Sequence, residues 1–139
     1  MLEREIIQHR GFHNITRGGE TVGFQVPVKL WGYRGSWLSE IRFEAVIVDG
    51  EVFGPDKVTW QIGGVEYTCE EMLGLGRVFW PRSEAARLLV RKPGGLAQGE
   101  HTVRVNFWRI SSYNPPFIDE ATGEWGRTDP ALERKMLIV

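Results

Sequence analysis

Apolar residues recur at every second position in several short runs of this chain, the period of a strand with one buried face. The run around which the rest is organised spans residues 23–41. Phe24, Val26, Val28 and Leu30 fall on one face, and Gln25, Pro27 and Lys29 on the other. Proline donates nothing to a strand ladder, so Pro27 predicts an edge position or a bulge. The run then turns aromatic: Trp31, Tyr33 and Trp37 are spaced by Gly32 and Gly35, with Arg34 and Ser36 among them. Large aromatics on a loop need cover, either this chain's own core or a second protein. Aromatic residues and arginine are the types enriched where proteins meet.

The same reading predicts the remaining elements. Residues 2–10, with Ile6 and Ile7, read as a short first strand, and residues 11–19, with Asn14 and Gly18-Gly19, as a turn region. Residues 41–48 read as a strand with Ile41, Phe43, Ala45 and Ile47 on one face. Val46 and Val48 make its other face apolar too, which suits a central position. Asp49-Gly50 predicts a type I′ hairpin, a turn that needs positive φ at both positions, and residues 51–53 begin the return strand. Gly63-Gly64, between residues 58–62 and 65–68, predicts a second hairpin. Residues 70–75 leave room for one helical turn before Gly74 and Gly76 stop it. A short apolar piece at 77–80 ends at Pro81. Strands follow at 86–91 and 100–110, joined by the loop 93–99. In the latter, Val103, Val105 and Phe107 alternate with polar residues, and the parity slips at Trp108 and Ile110. A β-bulge near Phe107 accounts for the slip. Residues 111–128 read as a long loop carrying Tyr113, Phe117 and Trp125, and residues 135–139 as a closing strand.

Short strands, frequent glycine turns and no convincing amphipathic helix predict an all-β fold. The expected architecture is an antiparallel β-sandwich, with a jelly roll as one candidate topology. At 139 residues the chain is expected to form one domain, 1–139. Six Trp and 17 Gly support the β reading, since large aromatics suit pleated surfaces and glycine suits turns. A net charge of −1 gives no pull toward nucleic acid or an acidic membrane. The N-terminal stretch is charged and lacks a long apolar run, so neither a signal peptide nor a transmembrane segment is read there. A cytoplasmic protein is expected. The single cysteine, Cys69, can form no disulfide within the chain, which fits a reducing compartment.

Catalytic chemistry is hard to assemble from these residues. The three histidines are His9, His13 and His101. No His-x-His pair occurs, and His9 and His13 sit on a strand end and a turn, so no metal site is expected. His101 begins a strand after a loop and reads as a satisfied edge histidine. Gly35-Ser36-Trp37 lacks the frame of a nucleophile elbow. Cys69 is followed by Glu70 and Glu71, acidic neighbours that raise a thiol pKa, and it reads as a small, partly buried core residue. Glu70-Glu71 and Asp119-Glu120 are adjacent pairs, and strand neighbours point to opposite faces, so no acid–base roles are assigned. Gly94-Gly95 lacks the Lys-Ser/Thr of a phosphate loop and reads as a turn. No catalytic residue and no cofactor are therefore expected on this chain.

The order of these features resembles a known family, the small (β) subunits of bacterial C-glycoside deglycosidases. The resemblance rests on Val22-Gly23-Phe24-Gln25 leading to Tyr33-Arg34-Gly35-Ser36-Trp37-Leu38-Ser39. It continues through the hairpins Val48-Asp49-Gly50-Glu51 and Ile62-Gly63-Gly64-Val65-Glu66-Tyr67. It closes on Lys92-Pro93-Gly94-Gly95-Leu96-Ala97-Gln98-Gly99-Glu100-His101. The tyrosine–arginine–glycine loop and the last stretch are its more specific parts, and the tail after Ser111 matches less clearly. The resemblance implies a β-sandwich subunit bound to a larger α subunit. That α subunit is a TIM barrel like sugar-phosphate isomerases, with a divalent metal, Mn²⁺, in a higher-order hetero-oligomer. The implied substrates are 3-oxo-glucosides carbon-linked to a flavonoid or other aromatic aglycone. A base on the α subunit removes the C2 proton that the 3-keto group acidifies, the metal stabilises the enolate, and the aglycone leaves C1 by β-elimination. On this reading Trp31, Tyr33, Arg34, Ser36 and Trp37 line the partner interface or the mouth of its active site. The rival readings are a free-standing carbohydrate-binding module, stacking sugars on Trp31, Tyr33 and Trp37, and a small jelly-roll enzyme.

Overall fold

A computed structural model of the chain describes residues 6–30, 35–109 and 132–138. These residues form an all-β sandwich of antiparallel sheets. In chain order the strands are β1 (His13–Arg17), β2 (Glu20–Val28), β3 (Ser36–Trp37), β4 (Ile41–Val48), β5 (Glu51–Phe53), β6 (Val58–Ile62), β7 (Val65–Thr68), β8 (Phe79–Trp80), β9 (Ala86–Arg91), β10 (Gly99–Arg109) and β11 (Glu133–Ile138). One sheet has the order β1-β2-β9-β6-β7, the other β11-β10-β4-β5, and β3 pairs with β8 alone. A single α-helix among the described residues, α1 (Cys69–Leu73), follows β7.

Alternation decides which side chains meet between the sheets. Phe24, Val26 and Val28 of β2, Trp60 of β6, and Leu88 and Val90 of β9 face Val46 and Val48 of β4 and Val103, Val105 and Phe107 of β10, all of them buried. The contacts across the sandwich are aromatic. Phe24 meets Phe53 edge-on at 5.4 Å, and Trp60 meets Phe43 at 5.8 Å and Phe107 at 5.4 Å. Burying each such ring removes apolar surface worth about 1.5–3 kcal/mol.

Several expected elements stand where the pattern put them. The strand 86–91 is β9, and Gly63-Gly64 joins β6 to β7. Asp49 and Gly50 have φ of 50° and 90°, the left-handed pair that a type I′ turn requires. The strand 41–48 lies between β10 and β5, as its two apolar faces suggested. The helical turn expected at 70–75 is α1, started by Thr68, whose hydroxyl accepts the Glu71 N–H at 3.1 Å.

Other expectations are corrected. Of the first strand, residues 2–5 lie outside the described residues, and Ile6 and Ile7 make an isolated bridge, Ile7 to Val28. Residues 13–17, read as part of a turn, are strand β1. Pro27 is neither at an edge nor at a bulge, because β2 runs between β1 and β9. It is tolerated because the last β1 partner is His13 opposite Gln25. Beyond it Pro27 only accepts, its carbonyl taking the Gln8 N–H at 3.0 Å. The slip near Phe107 is present, since Asn106 pairs with Ala45 and Phe107 with Phe43. The extra residue is Glu44 of β4, not a residue of β10. This bulge divides the face expected for β4: Phe43 precedes it and packs against the core, and Val46 and Val48, not Ala45 and Ile47, continue that side. The closing strand is β11, and Ile110 and the loop 111–128 lie outside the described residues.

Candidate functional site

Of the five residues expected at an interface, Trp31, Tyr33 and Arg34 lie outside the described residues. Ser36 and Trp37 form β3, and the register with β8 sets their orientation: Ser36 lies opposite Trp80 and Trp37 opposite Phe79. Trp80 is the inward member, fully buried between Trp60 at 5.7 Å and Phe107 at 6.2 Å, with its indole N–H donating to the Glu84 carbonyl at 2.8 Å. Ser36 is buried beside it. Trp37 and Phe79 therefore point outward, 42% and 46% exposed, their rings edge-to-face at 5.1 Å.

This aromatic pair stands on a braced base. A Cβ on Gly35 would lie 2.4 Å from the Trp80 carbonyl oxygen and 2.7 Å from the Phe79 ring, so only glycine lets the loop approach β8 this closely. The Glu40 carboxylate accepts the Ser36 hydroxyl at 3.1 Å and the Trp37 N–H at 3.3 Å. The Leu38 N–H donates to Val78 O at 2.9 Å while its side chain is fully buried. Arg109 at the end of β10 donates to Gly35 O at 3.4 Å. Ser36 thus braces the strand, and Trp37 is what the strand presents. Phe79 is a member of this outward-facing pair that the sequence reading missed. Its signal was the apolar piece ending at Pro81, where one ring of Phe79-Trp80 had to face out if the other faced in. On a nearby element, α1, Leu73 is 52% exposed, and α1 packs against the turn that follows Trp37.

Asp49 and His101 are tied into the scaffold. His101 is held at both ring nitrogens, with Nδ1 2.7 Å from the Asp49 carboxylate and Nε2 2.7 Å from Ala97 O. Burial pulls its pKa down, but the Ala97 carbonyl and the Asp49 carboxylate outweigh this and hold it above its ordinary value. The Thr102 N–H, and after it His101, hold Asp49 below the usual carboxylate range. Cys69 is raised as expected, although burial is the main cause rather than its acidic neighbours. Among the described residues no three of His, Cys, Asp and Glu come together to hold a metal ion, and no helix is long and apolar enough to cross a membrane.

The Asp49–His101 pair has a pH signature. A histidine with a raised folded pKa contributes its full stabilisation below its unfolded pKa of about 6.5 and loses it as pH rises through the folded value. The depressed Asp49 contributes above about pH 3.9 and loses its share as pH falls through its folded value. Melting temperatures recorded upward from about pH 6 should therefore decline through the His101 titration, and His101→Gln should flatten that decline. Parallel curves for the two proteins would show that the pair carries no pH-dependent stability.

Two comparisons bear on what this scaffold belongs to. A family model described as C-glycoside deglycosidase beta subunit matches residues 2–113. A protein of Eubacterium cellulosolvens (strain ATCC 43171 / JCM 9499 / 6), named C-glycoside deglycosidase beta subunit, is 47% identical over 120 residues, covering 86% of this chain and 82% of that protein. The match spans β1 to β10, with the braced aromatic strand and the Asp49–His101 pair inside it, and the chain belongs to the C-glycoside deglycosidase beta subunit family.

Proposed function

We propose that this chain is the non-catalytic beta subunit of a C-glycoside deglycosidase and that it supports a separate catalytic alpha subunit through the surface centred on Trp37 and Phe79. The observation that carries this reading is the family match over β1 to β10, together with a braced, outward-facing aromatic pair inside it. The partner is read as a TIM barrel holding a divalent metal, Mn²⁺, which supplies Lewis-acid chemistry when bound. The metal belongs to the partner on this reading. The reaction is carbon–carbon cleavage of a 3-oxo-C-glucoside with a flavonoid or other aromatic aglycone, by loss of the C2 proton and departure of the aglycone from C1. The role of this chain is to bind, shape and shield that site, in the cytoplasm and within a hetero-oligomer. The carbohydrate-module reading is less favoured: sugars stack on flat faces, and the planes of Trp37 and Phe79 stand 72° apart.

The purified chain, supplied with Mn²⁺ and a 3-oxo-C-glucoside, is expected to show no turnover. Co-expressed with the product of the neighbouring gene, it is expected to co-purify in an active complex. Turnover by the chain alone would overturn the non-catalytic assignment.

A further inference from the structure

The outer face of the five-stranded sheet carries a cleft of about 350 Å³ that no step above uses. Its origin lies in the register. Ile15, Gly23 and Arg91 stand side by side across β1, β2 and β9. Alternation turns Phe24 inward, so Gly23 lies on the outer face and leaves a gap in this row of side chains. Val22 is the unpaired residue where the register shifts, since Ile15 pairs with Gly23 and Thr16 with Thr21. The floor and walls are therefore apolar, from Ile15, Val22 and Leu89.

The rim is cationic. Arg17, Lys57 and Arg91 reach it from three different elements, and among the described residues none of them pairs with a carboxylate. Arg91 donates to a backbone carbonyl, Asp56 O, at 2.7 Å. The one carboxylate lining the cleft, Glu66, already accepts the Thr59 hydroxyl at 2.6 Å. A chain with a net charge of −1 thus concentrates unpaired positive charge around an apolar trough. Such a volume is at the small end of ligand pockets, and an apolar seat with a few converging charges is how those pockets orient a ligand.

We propose that this cleft binds a small organic anion, with a carboxylate held by Arg17, Lys57 and Arg91 and an apolar body seated on Ile15, Val22 and Leu89. Phenylacetate is a suitable probe and 2-phenylethanol its neutral counterpart. In amide NMR titrations of the full chain, phenylacetate should shift the signals of Gly23, Thr59 and Leu89 saturably, and 2-phenylethanol should bind at least tenfold more weakly. Arg17→Gln with Lys57→Gln, which breaks no hydrogen bond within the described chain, should weaken phenylacetate at least tenfold at unchanged melting temperature. Equal binding of the two probes, shifts centred on Trp37 and Phe79, or no saturation would overturn the proposal. So would loss of phenylacetate binding in the complex with the partner subunit, which would assign the cleft to a carboxylate of that partner. None of these outcomes depends on lyase activity, so the cleft and the subunit role stand or fall separately.

Discussion

Gly23→Ala is expected to destabilise the chain by about 3 kcal/mol and to lower its melting temperature by about 10 °C. A Cβ there would lie 1.9 Å from the Val90 carbonyl oxygen and 3.2 Å from the Lys92 nitrogen. Both are backbone atoms, so no rotamer change relieves the clash, and β2 must move away from β9. That movement opens the pairing of Gly23 with Arg91 and strains the bonds Lys92 N–H to Val22 O, at 3.0 Å, and Gly94 N–H to Thr21 O, at 2.9 Å. Gly76→Ala is the control, since its nearest neighbour, the Ser39 hydroxyl, stands at 3.6 Å. Thermal melts of the two variants decide the matter. If both melt with the parent protein, the close approach of β2 and β9 is not a constraint on the fold.

Trp37→Ala combined with Phe79→Ala is expected to weaken association with the proposed partner subunit about a hundredfold. Buried aromatic anchors at interfaces contribute about 2 kcal/mol or more each, and about 1.4 kcal/mol is one decade. Neighbouring rings share part of that energy, which holds the estimate near two decades. The chain's own melting temperature should change little, because each ring is nearly half exposed. Tyr33→Ala with Arg34→Ala, measured in the same binding titration, should cost tenfold or more. Normal association by the Trp37/Phe79 variant, together with a melt several degrees lower, would return the pair to the chain's own packing.

What could be read from the sequence follows from how local each cause is. The Asp49-Gly50 and Gly63-Gly64 turns are set by φ at two adjacent residues, and β9 by alternation within six. β1 was missed because it is an edge strand whose residues are exposed or half-exposed on both faces, which leaves no apolar alternation to detect. The capping box of α1 was present in Thr68 and Glu71 but went unread, being two polar residues between a strand and a helix too short to show periodicity. The bulge was detected from β10, yet the ladder places its extra residue on β4, and sequence alone does not say which strand of a pair is the longer. The stretch 92–101, taken as a mark of family, gains a structural reason. Asn14 clasps Leu96 from 82 residues away, donating to its carbonyl at 3.0 Å and accepting its N–H at 2.9 Å, and His101 locks onto Asp49. Pairings of that range leave no local trace. For the aromatic loop the residue types left two covers open, this chain's own core or a second protein, and the division into an inward Trp80 and an outward Phe79 beside Trp37 came only with the β3–β8 register.

The strand β11 lies wholly beyond residue 113, where the family match stops. Yet it pairs with β10 from Gly99 opposite Ile138 to Arg104 opposite Glu133, and Leu132, Met136 and Ile138 are buried with it. A chain shortened to the matched region would carry β10 as a bare rim, with its outward backbone N–H and C=O groups between Gly99 and Arg104 unpaired, a template for pairing with other chains. Growth on the ribosome passes through the same state: the sandwich stays open on one side until residues 133–138 emerge, and a chaperone or an early-docking partner has that interval in which to shield it.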